Sequence, residues 1–526
     1  MNRAEFQDQI EQRWPGRVGV ILGADGVPCV IEPSLDVLAQ LCGWLFLDQN
    51  FSFAGLIVDE GATEWQLRYA FYAEQPGDWI HVVVRAPLAE RVFPSIVKFV
   101  HAADWHEREA EDLFGIVFEG HPRLGDFILH DDAWQEGIEP MRRTFSAQTP
   151  VTDRRPKADW RPHRIVEEPG AFAMPIGPVF SGLAESVHFL LETVGEDVIR
   201  AMPRLFYKYR GIEKIAEGRS VADVILLAER FSATTAFAHA LGFCHAVETI
   251  CRTEVPARAR AVRVFLAELE RVRHHVAAIE GICESTALVV AASQTAMLEE
   301  DLLRVCGALT GHRYLFGLAT PGGLTKDLDD AACRQALENC QGVVRRLDQL
   351  ERMLQFSSSF LDRLEEVGFI SDRDARAYGL VGPIARASGV PRDLRTAQPY
   401  GGYERFEFDV PVEREGDGYA RLRILFAEAR QSMRLMEQTF AALSAGPVRA
   451  MVQLHTGAAL GWVEAPRGAA FHWVRLSADG VVARYRIVPP SFINWHGFHL
   501  SVENFAFQDF PIILATMDLS AAENDR

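Results

Sequence analysis

Adjacent His274 and His275, with Glu270 just upstream, offer residue types that would suit a metal ion. Successive side chains on a helix diverge by about 100°, so this pair does not readily share one ion, and no metal is expected there. His188, His239 and His245 are further candidates, each standing singly. The eight cysteines, at 29, 42, 244, 251, 283, 306, 333 and 340, include no CxxC pair. That spacing excludes the usual forms of a zinc knuckle or a ferredoxin-type cluster and reads as reduced thiols in a core. Glu107, Arg108, Glu111 and Asp112 fall on a helix where three-to-four spacing lets charges pair, and Gly115 and Gly120 permit a turn into a strand. No Gly-rich nucleotide loop follows a strand, so no dinucleotide-binding site is read in this chain.

Residues 1 to about 145 mix β-like runs (Val18 to Leu22, Leu67 to Tyr72, Trp79 to Val84) with a helical stretch from Ser34 to Leu47. This predicts a small α+β domain over 1–145. A polar, proline-bearing run follows, read as a linker over 146–166. From 167 to 526 helical spacing dominates, over Val221 to Glu254, Ala257 to Thr286, Ser293 to Thr310, Asp327 to Gly368 and Gly418 to Leu443. A hairpin-like start at Ile165 to Glu192 and an irregular, β-containing end frame this large, mainly helical domain. The fold class expected for the whole chain is α+β.

With 54 basic and 72 acidic residues the net charge is -18, which argues against a broad basic face for nucleic acid. The most apolar stretch, Thr286 to Leu298, is too short for a membrane span and carries Ser and Gln, so membrane contact is expected through partners. The opening MNRAEFQDQIEQRW lacks the apolar core of a secretory signal, which predicts a cytoplasmic chain.

The densest motif runs from Trp105 to Pro122, WHEREAEDLFGIVFEGHP, and resembles, almost unbroken, the signature of the small hydrophilic (30 kDa-type) subunit of complex I. PIGPVFSG from Pro175 and RLFYKYRGIEKIAE from Arg204 to Glu217 resemble the start of the complex I quinone-site (49 kDa) subunit. They also resemble the large subunit of formate hydrogenlyase-like energy-converting nickel-iron hydrogenases. Leu269-Glu-Arg271, Gly311 to Gly317, Pro321-Gly-Gly323, Gly382 to Gly389 and Arg395 to Tyr400 keep the family order. The resemblance spans roughly 65 to 526 and implies a docking role for the first motif and a hydrogenase-large-subunit-like second domain.

The same resemblance exposes departures. Family cysteines that would hold nickel and iron fall on Ser232 and Thr235, and on Ser520 and Glu523. Their oxygens are poor ligands for low-spin nickel, so no nickel-iron centre is expected. The quinone-binding His and Tyr of the complex I family fall on Phe180 and Ala233. What remains is a polar set, Arg210, Glu213, Ser232, Thr235, Asp518 and Glu523, at the family's active-site position. Glu213 and Glu523, if buried with raised pKa values, would relay protons; the competing expectation is that Arg210 or Arg526 satisfies them and they fix packing.

The leading expectation is the large hydrophilic subunit of a membrane-associated, complex I-like or formate hydrogenlyase-like oxidoreductase complex, coupling electron transfer to ion translocation. No complete catalytic centre is read in this chain. The partners implied are a small iron-sulfur subunit, a ferredoxin-like subunit and ion-translocating membrane subunits, with the chain peripheral on the cytoplasmic face. Iron-sulfur clusters are expected on partners, and quinone is the ligand left open here. A catalytically silent platform, a quinone site with a rearranged pocket and a hydrogenase with an altered metal site are the competing readings.

Overall fold

The computed structural model describes residues 3–22, 28–75, 77–135, 137–146, 148, 169–179 and 185–526. The expected linker and Phe180 fall almost wholly outside these residues. The chain folds as α+β and separates into two compact units, one built from 1–165, 204–209 and 377–379, the other from 166–203, 210–376 and 380–526.

The first unit carries a five-stranded sheet of β1 (Val18–Ile21), β2 (Cys29–Pro33), β3 (Phe51–Glu60), β4 (Glu64–Ala73) and β5 (Trp79–Pro87), in the order β1-β2-β5-β4-β3. Only the β2–β5 pair is parallel. Along β4 the alternate residues Trp65, Leu67 and Tyr69 are wholly buried while Gln66 and Arg68 are not, the period-two pattern of a strand with one inward face. Helices α1 (Arg3–Arg13), α2 (Leu38–Gly43) and α3 (Asp104–Phe114) and a short pair, β6 (Val92–Pro94) with β7 (Val117–Glu119), complete it. The helix expected from Ser34 to Leu47 is split into a 3-10 turn, α2 and a π turn.

Arg108 attracts Asp104 and Asp112 one turn away on α3, as the spacing allows, but the hydrogen bonds of these charges go mainly to the adjacent loops. Glu107 is buried and accepts from Ser95 Oγ at 2.6 Å and Ile96 N at 2.9 Å. Arg108 donates to the Gly125 and Asp126 carbonyls, and Glu111 accepts from Gly125 N at 2.9 Å. Asp112 accepts three amides, of Phe127, Ile128 and Leu129. A loop with unpaired N–H groups needs acceptors, and the helix supplies them. Gly115 ends α3 with φ +69, and a β-carbon there would press on Glu139.

The second unit opens with β8 (Ala171–Ile176), β9 (His188–Val194) and β10 (Asp197–Arg204), paired in the order β10-β9-β8. Helices α4 (Ile212–Ala216), α5 (Val221–Arg230), α6 (Ala236–Cys251), α7 (Ala257–Ser285) and α8 (Val289–Thr310) follow. After the small ladder of β11 (Ala319–Thr320) and β12 (Gly323–Leu324) come α9 (Asp330–Gln355), α10 (Ser358–Leu361), α11 (Asp372–Ala377), α12 (Gly382–Ala387), α13 (Leu394–Ala397) and α14 (Gly418–Ala441). An antiparallel sheet of β13 (Gly457–Ala465), β14 (Gly468–Leu476) and β15 (Val482–Val488) precedes α15 (Pro490–His496), α16 (Phe498–Val502), α17 (Phe510–Met517) and α18 (Ala521–Asn524).

On α9, Cys333, Ala336, Leu337, Cys340, Val343, Val344, Leu347, Leu350 and Leu354 form one buried stripe, each large side chain contributing about 1.5–3 kcal/mol. Asp329 caps its start. Helix α7 packs against α8, α14 and α17 and is buried on nearly every side despite its many charges. All eight cysteines are buried, and among the described residues none forms a disulfide.

Two boundaries differ from the sequence expectation. The helix foreseen from Asp327 to Gly368 ends at Gln355. The stretch from Val221 to Glu254 breaks between Arg230 and Ala236, where Ser232 leaves the helical region (φ -130, ψ 87) and a 3-10 turn spans Ala233–Thr235. Ser and Thr side chains compete for local hydrogen bonds at such a break, and apolar periodicity continues across it unchanged.

Candidate functional site

That break presents Ser232 and Thr235 to the last helix of the chain. Ser232 Oγ and Thr235 Oγ1 lie 2.6 Å apart, and both donate to Glu523 Oε1, at 2.9 and 3.2 Å. Ser520 is the N-cap of α18, its hydroxyl accepting from Glu523 N at 3.2 Å and donating to Glu185 Oε1 at 2.8 Å. Ser-x-x-Glu is capping-box spacing, but here the glutamate turns away from its own helix toward Ser232 and Thr235. The four positions singled out as former metal ligands thus meet and are bonded to one another.

Arg467, unnoticed in the sequence, completes the cluster. It stands at the tip of the β13–β14 hairpin, where Ala465 pairs with Gly468. Its Nη1 lies 3.1 Å from Glu523 Oε1, its Nε donates to the Asp518 carbonyl at 2.7 Å, and its Nη2 lies 3.3 Å from Asp518 Oδ1. Gly382 permits this: its φ is +69, and a β-carbon there would overlap the Arg467 carbonyl oxygen. Pro466-Arg467-Gly468 carries the residue types of a turn, but nothing local in it names the partners of the arginine.

Asp518 closes α17 in the left-handed region, φ +46, and receives His274 Nε2 on Oδ2 at 2.6 Å. Burial raises the Asp518 carboxyl, but Arg467 and His274 outweigh it and bring it to about 2. Burial lowers His274, against the pull of Asp518, to about 4, so the ring is neutral and donates. For Glu523 burial again raises, while Arg467, His239 and the Ser491 side chain prevail and hold it well below the usual range. His239 Nε2 stands 3.9 Å from Glu523, and its Nδ1 is 3.2 Å from His472 Nε2, whose Nδ1 meets Tyr485 Oη at 2.8 Å.

Glu213 is not in this cluster. Its carboxylate takes Arg484 Nη1 at 3.0 Å, Arg486 Nη1 at 3.2 Å, Arg526 Nε at 3.3 Å and Ile487 N at 3.0 Å. Arg484 and Arg486 sit two apart on β15 and so share a face. Burial raises Glu213, the three guanidiniums lower it, and the net is about 2. Of the two expectations for Glu213 and Glu523, the geometry favours pairing over raised pKa values: each carboxylate is buried against arginine, with Arg526 among the partners of Glu213. Arg210 does not satisfy either; its Nε donates to the Asp525 carbonyl at 2.9 Å and its Nη2 to Phe231 O at 2.8 Å and to Ala522 O.

Ala233 and Thr234 are exposed beside the cluster, and Ala233 brings no hydrogen-bonding side chain. His274 and His275 diverge, His275 Nε2 meeting Glu428 Oε2 at 2.9 Å on α14. His245 faces Trp462, its Nδ1 3.3 Å from that residue's carbonyl oxygen, and His188 begins β9.

A nickel-iron centre does not fit these residues. Three hydroxyls and a carboxylate replace soft thiolates, and the carboxylate already binds a guanidinium.

The description "Respiratory-chain NADH dehydrogenase, 49 Kd subunit" matches residues 289–458 and 449–526. The corresponding 30 Kd subunit matches 34–151, and "Nickel-dependent hydrogenase" matches 210–279. Formate hydrogenlyase subunit 5 of Escherichia coli (strain K12) is 30% identical over 456 residues, covering 85% of this chain and 79% of the relative. The C/D-type NADH-quinone oxidoreductase subunit of Bdellovibrio bacteriovorus is 29% identical over 542 residues, covering 94% and 95%. Its C/D-type counterpart from Acinetobacter baylyi is 28% identical over 515 residues, covering 88% and 85%.

Proposed function

Because this chain belongs to the family of fused 30 kDa and 49 kDa subunits shared by complex I and formate hydrogenlyase, we propose that it is the large hydrophilic subunit of such an oxidoreductase complex, working without a nickel-iron centre. The observation that carries this reading is the closed Ser232–Thr235–Glu523–Arg467 cluster. Its cation is an arginine fixed in sequence, and its carboxylates are ionised and paired, so the site's charge is set by the chain itself. Its residues orient one another and hold negative charge at Glu523 and Asp518; they do not store a proton there.

In this reading electrons pass through iron-sulfur partners, a small cluster-bearing subunit and a ferredoxin-like subunit, and the chain couples that event to ion-translocating membrane subunits. Among the described residues no helix is long and apolar enough to cross a membrane, which fits attachment through those partners at the cytoplasmic face. Nickel and iron content of the complex purified through this chain is the test. Iron without nickel is expected; near-stoichiometric nickel would overturn the reading.

A second reading is a quinone or other acceptor at a rearranged site. It is favoured by the exposed edge at Ala233 and Thr234, beside the Arg467–Asp518 pair. Quinone-dependent oxidation by the assembled complex, lost in Thr234→Trp, supports it; activity unaffected by that substitution excludes it. A silent platform is distinguished by a partner small subunit that itself lacks cluster cysteines.

A further inference from the structure

Beyond His275, a lattice of buried charges extends through the second unit. Glu428 Oε1 accepts from Arg386 Nε at 2.6 Å, and Arg386 Nη1 donates to Glu464 Oε1 at 2.9 Å while facing Asp393 Oδ2 at 3.5 Å. Arg395 binds Asp393 through Nη2 at 2.7 Å and Glu268 through Nη1 at 3.1 Å, and Arg271 Nε lies 3.3 Å from Glu268. All of these side chains are buried. The lattice ends at two tyrosines: Tyr403 Oη donates to Glu268 at 2.5 Å, and Tyr400 Oη accepts the Glu464 amide at 2.9 Å. Both tyrosines line a cavity of about 410 Å³ with His245, Glu248 and Arg260.

Among the described residues the charges joined in this lattice do not balance. Four carboxylates (Glu268, Asp393, Glu428, Glu464) meet three guanidiniums (Arg271, Arg386, Arg395). His275 is poorly placed to supply the fourth cation. Its Nδ1 has no hydrogen-bond partner among the described residues, so an imidazolium would bury an unpaired N–H. A surplus buried anion is costly, and taking up one proton removes it.

The distribution of partners says which carboxylate takes that proton. Glu268 receives two arginines and the hydroxyls of Ser432 and Tyr403. Asp393 receives Nε and Nη2 of Arg395, and Glu428 receives Arg386 and His275. Glu464, on β13, shares Arg386 with Glu428 and Asp393; its other side-chain partner is the Leu394 amide, at 3.0 Å. The groups around it are Arg271 and Glu268 of α7, Arg386 of α12, Asp393 and Arg395 at α13, Glu428 of α14, and Tyr400. The geometry points to Glu464 as the proton-binding site of this lattice.

Burial, then the neighbouring Asp393, push this carboxyl up to about 7 against the pull of Arg386. The inference goes beyond the subunit reading, since a proton at Glu464 does not depend on which redox partner the complex uses.

Infrared difference spectra of the purified complex, taken one unit to either side of about pH 7, read buried protonated carboxyls directly. The expected result is a carboxylic-acid band that titrates in this range, is lost in Glu464→Gln and is displaced in Glu464→Asp. If the glutamine variant fails to assemble, the aspartate variant decides by itself. A wild-type complex without a titrating band, or a band unmoved in the assembled variants, overturns the assignment.

Discussion

Arg467 and Glu523 meet at 3.1 Å across 56 residues of sequence, joining the tip of a hairpin to the last helix of the chain. The arginine spans two carboxylates, the buried Glu523 and, on its other side, the half-buried Asp518. Its cation thereby sets the electrostatics of the whole cluster.

Arg467→Met leaves Glu523 buried without its cation and takes one of two partners from the half-buried Asp518. Breaking a buried pair in this way costs about 3–5 kcal/mol, read as a fall in denaturation midpoint at neutral pH. Arg467→Lys keeps the charge but loses the fork that reaches both carboxylates, and an intermediate loss is expected.

Acid stability separates the two roles considered for Glu213. Its folded pKa of about 2 lies below its ordinary value of 4.5, as does that of Asp518, about 2 against 3.8. Depressed carboxylates contribute stability that is complete above their unfolded pKa values and is lost as pH falls through the folded ones. Unfolding measured from about pH 5 down to about pH 2 therefore shows a steep loss in the wild type. In Glu213→Gln stability at neutral pH drops, and the slope over the acid range is shallower.

Gly382→Ala tests how Arg467 is positioned. The added carbon collides with the Arg467 carbonyl at a positive φ, so the hairpin tip must move. A loss of about 1–3 kcal/mol is expected, coupled to that of Arg467→Met in a double-mutant cycle. Additive losses would separate the two residues.

Asp112→Ala removes the shared acceptor of three amides in the first unit. Hydrogen exchange at Phe127, Ile128 and Leu129 should accelerate together, with a stability loss of about 1–3 kcal/mol. Unchanged protection at those amides contradicts the role assigned to Asp112.

The sequence by itself determined the α+β class, the family motifs and their order, and the extents of helices such as α7 and α14, because apolar period and capping chemistry are local. It also brought Ser232, Thr235, Ser520 and Glu523 into view, through motif alignment. It did not reveal Arg467, Arg484, Arg486 or the break at Ser232, and it left open whether Glu213 and Glu523 would rise in pKa or be held by arginine. Those depended on tertiary structure alone. Ser232 reaches Glu523 across 291 residues and Glu213 reaches Arg486 across 273. A buried carboxylate rises or falls in pKa according to which charges arrive within a few ångströms, and only the folded topology decides which do.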